Sequence, residues 1–310
     1  MRVAVVGGAN VDVSARPDAE LLLRDSNPGR VCVSFGGVGR NVAHDLCLLG
    51  AQVSFVSVFG DDFLGRSLMD DCRMNGMDLT LAEQAAGCRS NFYVCLNDGG
   101  GDMLSAVADM ASMERVTPEF LAVRMAEINR HDLAVADTNL SESALSYLIE
   151  NVSVPLFVDA VSTAKAMRLR RALERSAYSR LFALKVNRLE AETMTDCADL
   201  RSMAARLHAL GVERLYITLG ADGVFCSDGQ RAETLPCLAT RVADTTGAGD
   251  AFLAGAAFAF LRGSGLAEAA AVGLRTAQIA LQAVGAVNPE LRRFAEICQN
   301  TNTKKITIVL

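Results

Sequence analysis

Short runs of β-branched and other apolar residues alternate along most of the chain with stretches of helical periodicity. The runs that read as buried strands are RVAVVGG, VSFVSVFG, HDLAVAD, VPLFVDA, RLFALKVN and RLYITLG. Most of them precede about 15 residues with a helical pattern, such as ALSYLIE or DLRSMAARLHALG. This alternation predicts an α/β fold in which helices flank a mostly parallel central sheet.

Two regions depart from the alternation. Residues 12–35 and 88–108 read as short strands joined by turns, and NDGGGD in the second region is a strong hairpin signal. We therefore expect a small antiparallel sheet beside the main one, placed to act as a lid. Because no internal repeat and no low-complexity linker interrupts the chain, residues 1–310 are predicted to form a single domain with this lid attached.

Charge and cysteine content narrow the class of partner. The 310 residues are 51% hydrophobic, which is ample for a large core, and their net charge of -6 argues against a general binder of nucleic acids or anionic membranes. A small-molecule partner is the expectation. The nine cysteines form no CxxC pair, and their odd number indicates reduced thiols, so we expect a cytoplasmic protein. No signal peptide and no membrane helix is predicted.

The stretch DTTGAGDAFLAG, residues 244–255, combines glycines with the predicted start of a helix. Gly247 and Gly249 allow successive backbone N–H groups, including that of Ala248, to converge, and the helix start carries positive partial charge. Such a turn suits an anion, and Asp250 beside it could accept a proton from an attacking hydroxyl. No Walker A motif GxxxxGK[ST] occurs in the chain. A plain turn with a capping aspartate is the alternative interpretation.

A second glycine-rich stretch, SFGGVGRN, again lies between a predicted strand and a helix. Gly36 and Gly37 permit close approach of a ligand, and Asn41 offers both a donor and an acceptor to hydroxyl groups. Upstream, Asn10 and Asp12 in GGANVDV follow the first strand, where open α/β sheets commonly bind ligands. A carboxylate there could hold the vicinal hydroxyls of a ribose, although Asp12 could equally be a turn residue at a strand end.

These motifs together resemble those of the ribokinase-like (PfkB) carbohydrate kinases. GGVGRN and DTTGAGDAFLAG are similar to the two signatures of that family, and NRLE at residues 187–190 is similar to its Asn-x-x-Glu motif. The segments GGANVDV, DSNPGR, FVDAVSTAK and NRLEAET further resemble the branch of the family whose substrate is pseudouridine. The resemblance implies a ribokinase-like three-layer α/β/α fold with a small β-sheet lid.

It also implies transfer of the γ-phosphate of ATP to the 5′-hydroxyl of a ribosyl nucleoside, with Mg²⁺ and K⁺ as ions. Ribokinase, inosine/guanosine kinase or adenosine kinase activity are alternatives, as is a non-catalytic nucleoside or ATP sensor on the same fold. The partner is then a small nucleoside or sugar, without nucleic acid or membrane, and the resemblance implies a homodimer formed through the lids.

The residue roles implied by the resemblance fall into four groups. The catalytic group comprises the base Asp250 and the anion hole of Gly247, Ala248 and Gly249. The acceptor group comprises Asn10, Asp12, Gly36, Gly37, Asn41 and Asn139. The ATP group comprises Asn187, Thr218, Gly220 and Gly223. The ion group comprises Glu190 for Mg²⁺, through water, and Asp244, Thr246, Gly285 and Asn288 for the monovalent cation.

Several of these positions have a simpler interpretation from the residues alone. NRLE could be an ordinary helix start, and TLGADGV at residues 218–224 could be a plain hairpin. Candidates for contact with a nucleobase are Ser14, Phe92 and Tyr93, although aromatic residues are more often part of a core. Asp159 and Lys165 in DAVSTAK either support the site or form a surface pair.

Overall fold

The computed structural model describes residues 1–100, 102–175, 181–238 and 240–300. Residues 299 and 300 are described by their backbone only. The strands in this part of the chain are β1 Arg2–Val6, β2 Asn10–Pro17, β3 Gly29–Gly36, β4 Gln52–Val56, β5 Val58–Gly60, β6 Met77–Asp78, β7 Glu83–Ala85, β8 Phe92–Asn97, β9 Met103–Asp109, β10 Leu133–Asp137, β11 Leu156–Asp159, β12 Leu181–Asn187, β13 Val212–Thr218, β14 Val224–Ser227 and β15 Ala232–Leu235. The helices are α1 Val38–Leu48, α2 Phe63–Met74, α3 Pro118–Ile128, α4 Glu142–Asn151, α5 Thr163–Arg175, α6 Arg188–Thr195, α7 Leu200–Ala209, α8 Ala248–Leu261, α9 Leu266–Ala280 and α10 Leu291–Asn300.

Nine strands form the main sheet, in the order β15-β14-β13-β12-β11-β10-β1-β4-β6. The pairs from β13 to β6 are parallel, and β13, β14 and β15 are antiparallel neighbours. The mostly parallel sheet predicted from the alternation is therefore confirmed. Its parallel strands place their carboxyl ends along one edge, where loops after β1, β10, β11 and β12 meet.

Both faces of this sheet are buried. Since successive strand residues point to opposite sides, each strand contributes apolar side chains to both faces. Strand β1 shows the alternation: Ala4 and Val6 pack into one hydrophobic cluster, and Val3 and Val5 pack into another. The first cluster includes apolar residues of α3, α4, α5, α6 and α7, and the second includes those of α1, α2, α8, α9 and α10. The result is the predicted arrangement of helix layers on both faces of the sheet.

A second sheet of four strands, in the order β3-β2-β8-β9, is separate from the main sheet, and we call it the small sheet. Its strands lie in or next to the two ranges that break the alternation, and NDGGGD connects the antiparallel pair β8 and β9. The register places one row of residues on each face. One row is Ser34, Asp12, Tyr93 and Ala108; the next row, on the opposite face, is Val33, Val13, Val94 and Val107.

The run VSFVSVFG is not one strand, as predicted, but two. Strand β4 ends at Val56, and β5 pairs with β7 in a two-stranded sheet of its own. The chain turns at the buried Ser57, whose hydroxyl donates a hydrogen bond to the Gly7 carbonyl (2.7 Å), while its own carbonyl accepts one from the Glu83 amide (3.0 Å). A strand was predicted because the residues around this serine are apolar.

Within the described part of the chain, none of the helices has the length and apolar character that a membrane crossing requires. The polar segment NTNTKK and the apolar ITIVL after it occupy residues 300–310 and lie outside the described residues apart from Asn300.

Candidate active site

The turn before α8 has the conformation that its glycines favour. Gly247 has φ +77°, and a Cβ at this position would lie 1.9 Å from the Ala286 carbonyl oxygen. Helix α8 begins at Ala248, and the first N–H groups of a helix have no intrahelical acceptor. The Ala248 N–H makes a long hydrogen bond of 3.4 Å to the Thr245 carbonyl oxygen, and the Gly249 N–H is a donor at the positive end of the helix, as an anion site requires.

Asp250 lies in the first turn of this helix and is buried. Its Oδ2 accepts a hydrogen bond of 2.8 Å from Asn41 Nδ2, which joins α8 to α1 and unites the two glycine-rich stretches of the sequence. Burial and the nearby carboxylate of Asp159 raise the pKa of Asp250 to about 7, against opposing effects of the Asn41 hydrogen bond and the Lys185 ammonium. A carboxyl with this pKa is suited to accept a proton near neutral pH.

Four of the predicted acceptor residues come together where the small sheet meets α1. Asn10 donates from Nδ2 to Asp12 Oδ1, and a Cβ on Gly36 would lie 1.9 Å from Asp12 Oδ2. Gly37 has φ +101°, and a Cβ there would lie 2.5 Å from the Gly8 carbonyl and 2.9 Å from Asn10 Oδ1. The backbone requires glycine at position 37, whereas at position 36 a side chain would occupy the place of the Asp12 carboxylate. Burial raises the pKa of Asp12, opposed by the Asn10 hydrogen bond.

Asn139 lies at the same edge, after β10, and is buried. Its backbone N–H donates to Asp137 Oδ1 (2.8 Å), and its Oδ1 accepts a hydrogen bond from Lys165 Nζ. A Cβ on Gly8 would lie 2.8 Å from Asn139 Nδ2, so the amide abuts the loop that leads into β2. Lys165 therefore pairs with Asn139. The alternative of a surface pair between Asp159 and Lys165 is wrong, because Asp159 is buried and pairs elsewhere.

Asn187 and Glu190 hold one another at the start of α6. Asn187 Oδ1 accepts from the Glu190 N–H (2.9 Å), and the Glu190 carboxylate accepts from the Asn187 backbone N–H and Nδ2 (2.8 Å each). The motif thus forms a capping box, which agrees with the simpler interpretation as a helix start. Glu190 is nevertheless 2% exposed, and burial raises the pKa of its carboxyl. A buried carboxylate is an uncommon choice for a cap alone.

The turn between β13 and β14 follows at the neighbouring strand. Thr218 is the register partner of Asn187 across the parallel pair β12 and β13, so the two predicted ATP residues are adjacent. Gly220 and Gly223 have φ +62° and +97°, and a Cβ on Gly223 would lie 2.0 Å from the Leu235 carbonyl. The segment is an antiparallel hairpin with a short 3-10 turn, as the simpler interpretation states, and it lies beside the Asn187 loop.

Three of the four predicted monovalent-cation residues are joined by hydrogen bonds, which link the loop before α8 to the loop after α9. Asp244 Oδ1 accepts from the Thr246 N–H (2.9 Å), and Asp244 Oδ2 accepts from the Gly285 N–H (3.0 Å). Burial acts to raise the pKa of Asp244, but these backbone hydrogen bonds outweigh it and lower the pKa. Asn288 has other partners, since its Nδ2 donates to the Ile279 carbonyl (2.7 Å) and its backbone carbonyl accepts from the Leu291 N–H (3.1 Å).

Of the residues suggested for contact with a nucleobase, two share a face of the small sheet with Asp12. Tyr93 is the register partner of Asp12, and Ser14 lies two residues along the same strand. Phe92 pairs with the buried Val11 and therefore lies on the opposite face. Phe92 is half-buried on that face, which also carries Val94.

Lys185 is the residue that the motifs did not indicate. It is the register partner of Asp159 across β11 and β12, and its Nζ donates to Asp159 Oδ2 at 3.0 Å. Both side chains are almost fully buried, and a Cβ on Gly249 would lie 2.6 Å from Nζ. The available signal was a charged residue in the middle of the apolar run LFALKVN, where a lysine needs a buried partner.

Comparison with known proteins agrees with this arrangement. The model of the pfkB family carbohydrate kinases matches residues 1–292. The pseudouridine kinase of Escherichia coli (strain K12) is 37% identical to this chain over 297 residues, which cover 93% of each protein.

Solved structures show the same architecture. A carbohydrate kinase from Agrobacterium tumefaciens is 29% identical with a TM-score of 0.79, over 95% of this chain and 96% of that one. Arabidopsis thaliana ribokinase, solved with ribose and ATP, is 19% identical with a TM-score of 0.82, over 94% of this chain and 97% of that one. The predicted ribokinase-like fold is thereby confirmed. With a family match over nearly its whole length, this chain belongs to the pfkB family of carbohydrate kinases, phosphotransferases whose acceptor is an alcohol group.

Proposed function

We propose that this enzyme transfers the γ-phosphate of ATP to the 5′-hydroxyl of a ribosyl nucleoside, with pseudouridine as the preferred acceptor. The observation that carries the proposal is the hydrogen bond between Asn41 and Asp250, because it joins the acceptor cluster to the anion turn. The 37% identity to a protein named pseudouridine kinase supports the choice of acceptor.

In the proposed mechanism, Asp250 orients the acceptor hydroxyl and takes its proton. The hydroxyl oxygen attacks the γ-phosphorus, the bond between that phosphorus and the β,γ-bridging oxygen breaks, and ADP leaves with the bridging oxygen. The N–H groups of Ala248 and Gly249 stabilise negative charge on the transferring phosphoryl group. Because Asn41 fixes the Asp250 carboxylate, the base is positioned before the substrate arrives.

On the acceptor side, Asp12 and Asn10 are the proposed partners of the ribose hydroxyls, and Gly36 and Gly37 let the sugar approach the backbone. Asn139 would contact the substrate through Nδ2, since its Oδ1 is held by Lys165. The small sheet is the proposed lid over the sugar and base, with Tyr93 and Ser14 on the face that Asp12 also occupies.

On the nucleotide side, Asn187, Thr218, Gly220 and Gly223 are the proposed ATP contacts. An open groove of about 650 Å³ along residues 240–243 and Gln282 is our proposed seat for the adenosine end. Mg²⁺ would be held near the phosphates by the Glu190 carboxylate through water, since this ion keeps several of its waters. The proposed site of K⁺ lies where the loop of Asp244 and Thr246 meets the loop of Gly285, together with backbone carbonyls that include that of Asn288.

A panel of acceptors tests the proposal directly. ADP release is measured with ATP and Mg²⁺ for pseudouridine, uridine, inosine, adenosine and ribose. We expect the highest kcat/KM with pseudouridine, and Asp250→Asn is expected to lower kcat for that acceptor by roughly 10²-fold or more. Turnover with ribose alone would favour ribokinase and defeat the nucleoside assignment. A thermal shift with nucleoside or ATP but no ADP release would identify a sensor.

Two further properties are part of the proposal. No disulfide joins any of the nine cysteines, all of which lie among the described residues, in agreement with a protein of the reducing cytoplasm, which is where we place it. We also propose that two copies pair through their small sheets to form a homodimer. Val33, Val94 and Val107 support this pairing, because they are exposed on the face opposite Asp12.

A further inference from the structure

The Lys185 ammonium lies at the centre of the phosphate-binding part of the site. A Cβ on Gly249 would lie 2.6 Å from Nζ and 3.4 Å from Cε, so the ammonium lies against Gly249, the last residue of the proposed anion hole. The carboxylates of Glu190, the proposed Mg²⁺ ligand, and Asp250, the proposed base, both raise the pKa of Lys185, so both lie within electrostatic reach of the ammonium. This is the space that a transferring phosphoryl group would occupy.

The hydrogen-bonding capacity of Lys185 is only partly used. An ammonium has three donors, and Asp159 Oδ2, at 3.0 Å, is its one hydrogen-bond acceptor among the described residues. Lys185 is 8% exposed, so that its tip reaches the cavity without being solvated as a surface lysine is. Burial opposes its charge, but the Asp159, Glu190 and Asp250 carboxylates outweigh burial and raise its pKa. Lys185 is therefore charged throughout the range in which the enzyme would act.

The groups around Lys185 carry an excess of negative charge, which a buried cation stabilises. Asp159, Glu190 and Asp250 supply up to three negative charges around one ammonium, and the triphosphate of ATP would add more. We propose that Lys185 is a catalytic residue that donates to an oxygen of the γ-phosphoryl group of ATP and stabilises the charge on that group during transfer. This inference rests on the proposed use of ATP by this site.

In the transfer step Lys185 keeps its proton. The acceptor oxygen forms a bond to the γ-phosphorus, the bond to the bridging oxygen breaks with its electrons going to ADP, and the hydroxyl proton goes to Asp250. Asp159 holds the ammonium in place through the 3.0 Å bond and is a positioning residue. A side chain at Gly249 would meet the ammonium in its present position.

Binding separates this role from a structural one, because ADP lacks the group that Lys185 would contact. Calorimetry compares AMP-PNP with ADP, each with Mg²⁺, on the wild type and on Lys185→Met. We expect the variant to bind AMP-PNP about 10- to 100-fold more weakly, since hydrogen bonds to charged groups are worth that much. Binding of ADP should stay within about threefold. Equal losses for both nucleotides would overturn the proposal.

A double variant addresses the buried charge that Lys185→Met leaves behind. In Lys185→Met with Asp159→Asn no uncompensated carboxylate remains at Asp159, and the pair can be replaced without an ion. If Lys185 only neutralises Asp159, this variant recovers AMP-PNP affinity and turnover to within about threefold of wild type, which contradicts our assignment. We expect the AMP-PNP affinity and the turnover of the double variant to stay low, with kcat reduced about 10²-fold or more and the KM for the acceptor little changed.

The same experiments distinguish this inference from the proposed acceptor. If no nucleoside or sugar in the panel is phosphorylated, the proposed function fails, but the comparison of AMP-PNP with ADP still decides the role of Lys185. A wild type that binds the two nucleotides equally would refute the contact with the γ-phosphoryl group even if nucleosides are phosphorylated.

Discussion

Asp250 is the residue where catalysis and stability are expected to oppose each other. Its pKa is about 7 in the folded protein, well above the ordinary value of 3.8 for an aspartate, so the folded state binds a proton more tightly than the unfolded state. The stabilisation from that proton is complete below about pH 4 and is lost as the pH rises through 7. At pH 8 this linkage lowers the free energy of unfolding by up to about 4 kcal/mol relative to a group that stays neutral.

We therefore expect Asp250→Asn to be more stable than the wild type at pH 8, by about 1–3 kcal/mol, although its kcat is expected to be lower. At pH 4 the advantage should largely disappear, because the aspartate is then protonated and neutral. Urea unfolding of both proteins at the two pH values measures this difference. The contributions of the other titrating groups cancel because both proteins share them. A difference that does not change with pH would argue against a raised pKa at Asp250.

The rate of the reaction should depend on the same carboxyl. Asp250 must be ionised to accept the proton, so kcat/KM is expected to rise with pH and level off above about pH 7. Burial raises the pKa of Asp250 most, and the charge of the Asp159 carboxylate has the next largest effect. Asp159→Asn should therefore move the acidic limb of the pH profile to lower pH, by about one unit. A limb that stays in place in this variant would mean that another group controls it.

At the scale of elements, the contact between α1 and α8 contains a carboxyl with no partner. Asp45 is fully buried, and neither of its carboxylate oxygens has a hydrogen bond among the described residues. Burial, followed by the charge of Asp250, raises the pKa of Asp45 well above its ordinary value, against a smaller effect of Arg40. Arg40 itself is paired with Asp71 at 2.7 Å. The folded state therefore holds the Asp45 proton more tightly than the unfolded state does, and the protein loses stability as the pH rises.

Asp45→Asn should then increase the free energy of unfolding at pH 8 by about 1–3 kcal/mol, because the unfolded state no longer gains from ionisation. Unlike Asp250→Asn, this variant should keep kinase activity, since Asp45 is placed in neither the anion turn nor the acceptor cluster. Thermal unfolding and ADP release on the same preparation test both parts. A less stable variant at pH 8 would show that the Asp45 carboxyl has a partner.

Which elements could be predicted from the sequence depends on how local their cause is. Gly37 and Gly247 could be identified because a positive φ is a property of a few consecutive residues. The pair of Asp159 and Lys185 could not, because it depends on the register between β11 and β12. Proximity in sequence instead suggested Lys165, which the fold turns toward Asn139. The join between the two glycine-rich stretches, from Asn41 to Asp250, likewise depends on the packing of α1 on α8.

For the whole molecule, the small sheet is the part that lacks a second layer. Val33, Val13, Val94 and Val107 form one row across all four strands, on the face opposite Asp12. Val33 and Val107 are 61% and 69% exposed, so this apolar row is uncovered in the monomer. A second copy that packs the same row against it would bury both, with the symmetry usual for homodimers.

We expect the wild type to have about twice the chain mass of 32.9 kDa by light scattering coupled to size exclusion. The variant Val33→Lys with Val107→Lys should have the mass of one chain, because two charges would have to be buried in the interface. Val123→Lys is the matched control, since Val123 is 80% exposed on α3 and should leave the dimer intact. A monomeric wild type, or a lysine double variant that stays dimeric, would refute pairing through this face. If the small sheet also closes over the substrate, the monomeric variant should have a raised KM for the nucleoside, because the lid would lose the support of its partner.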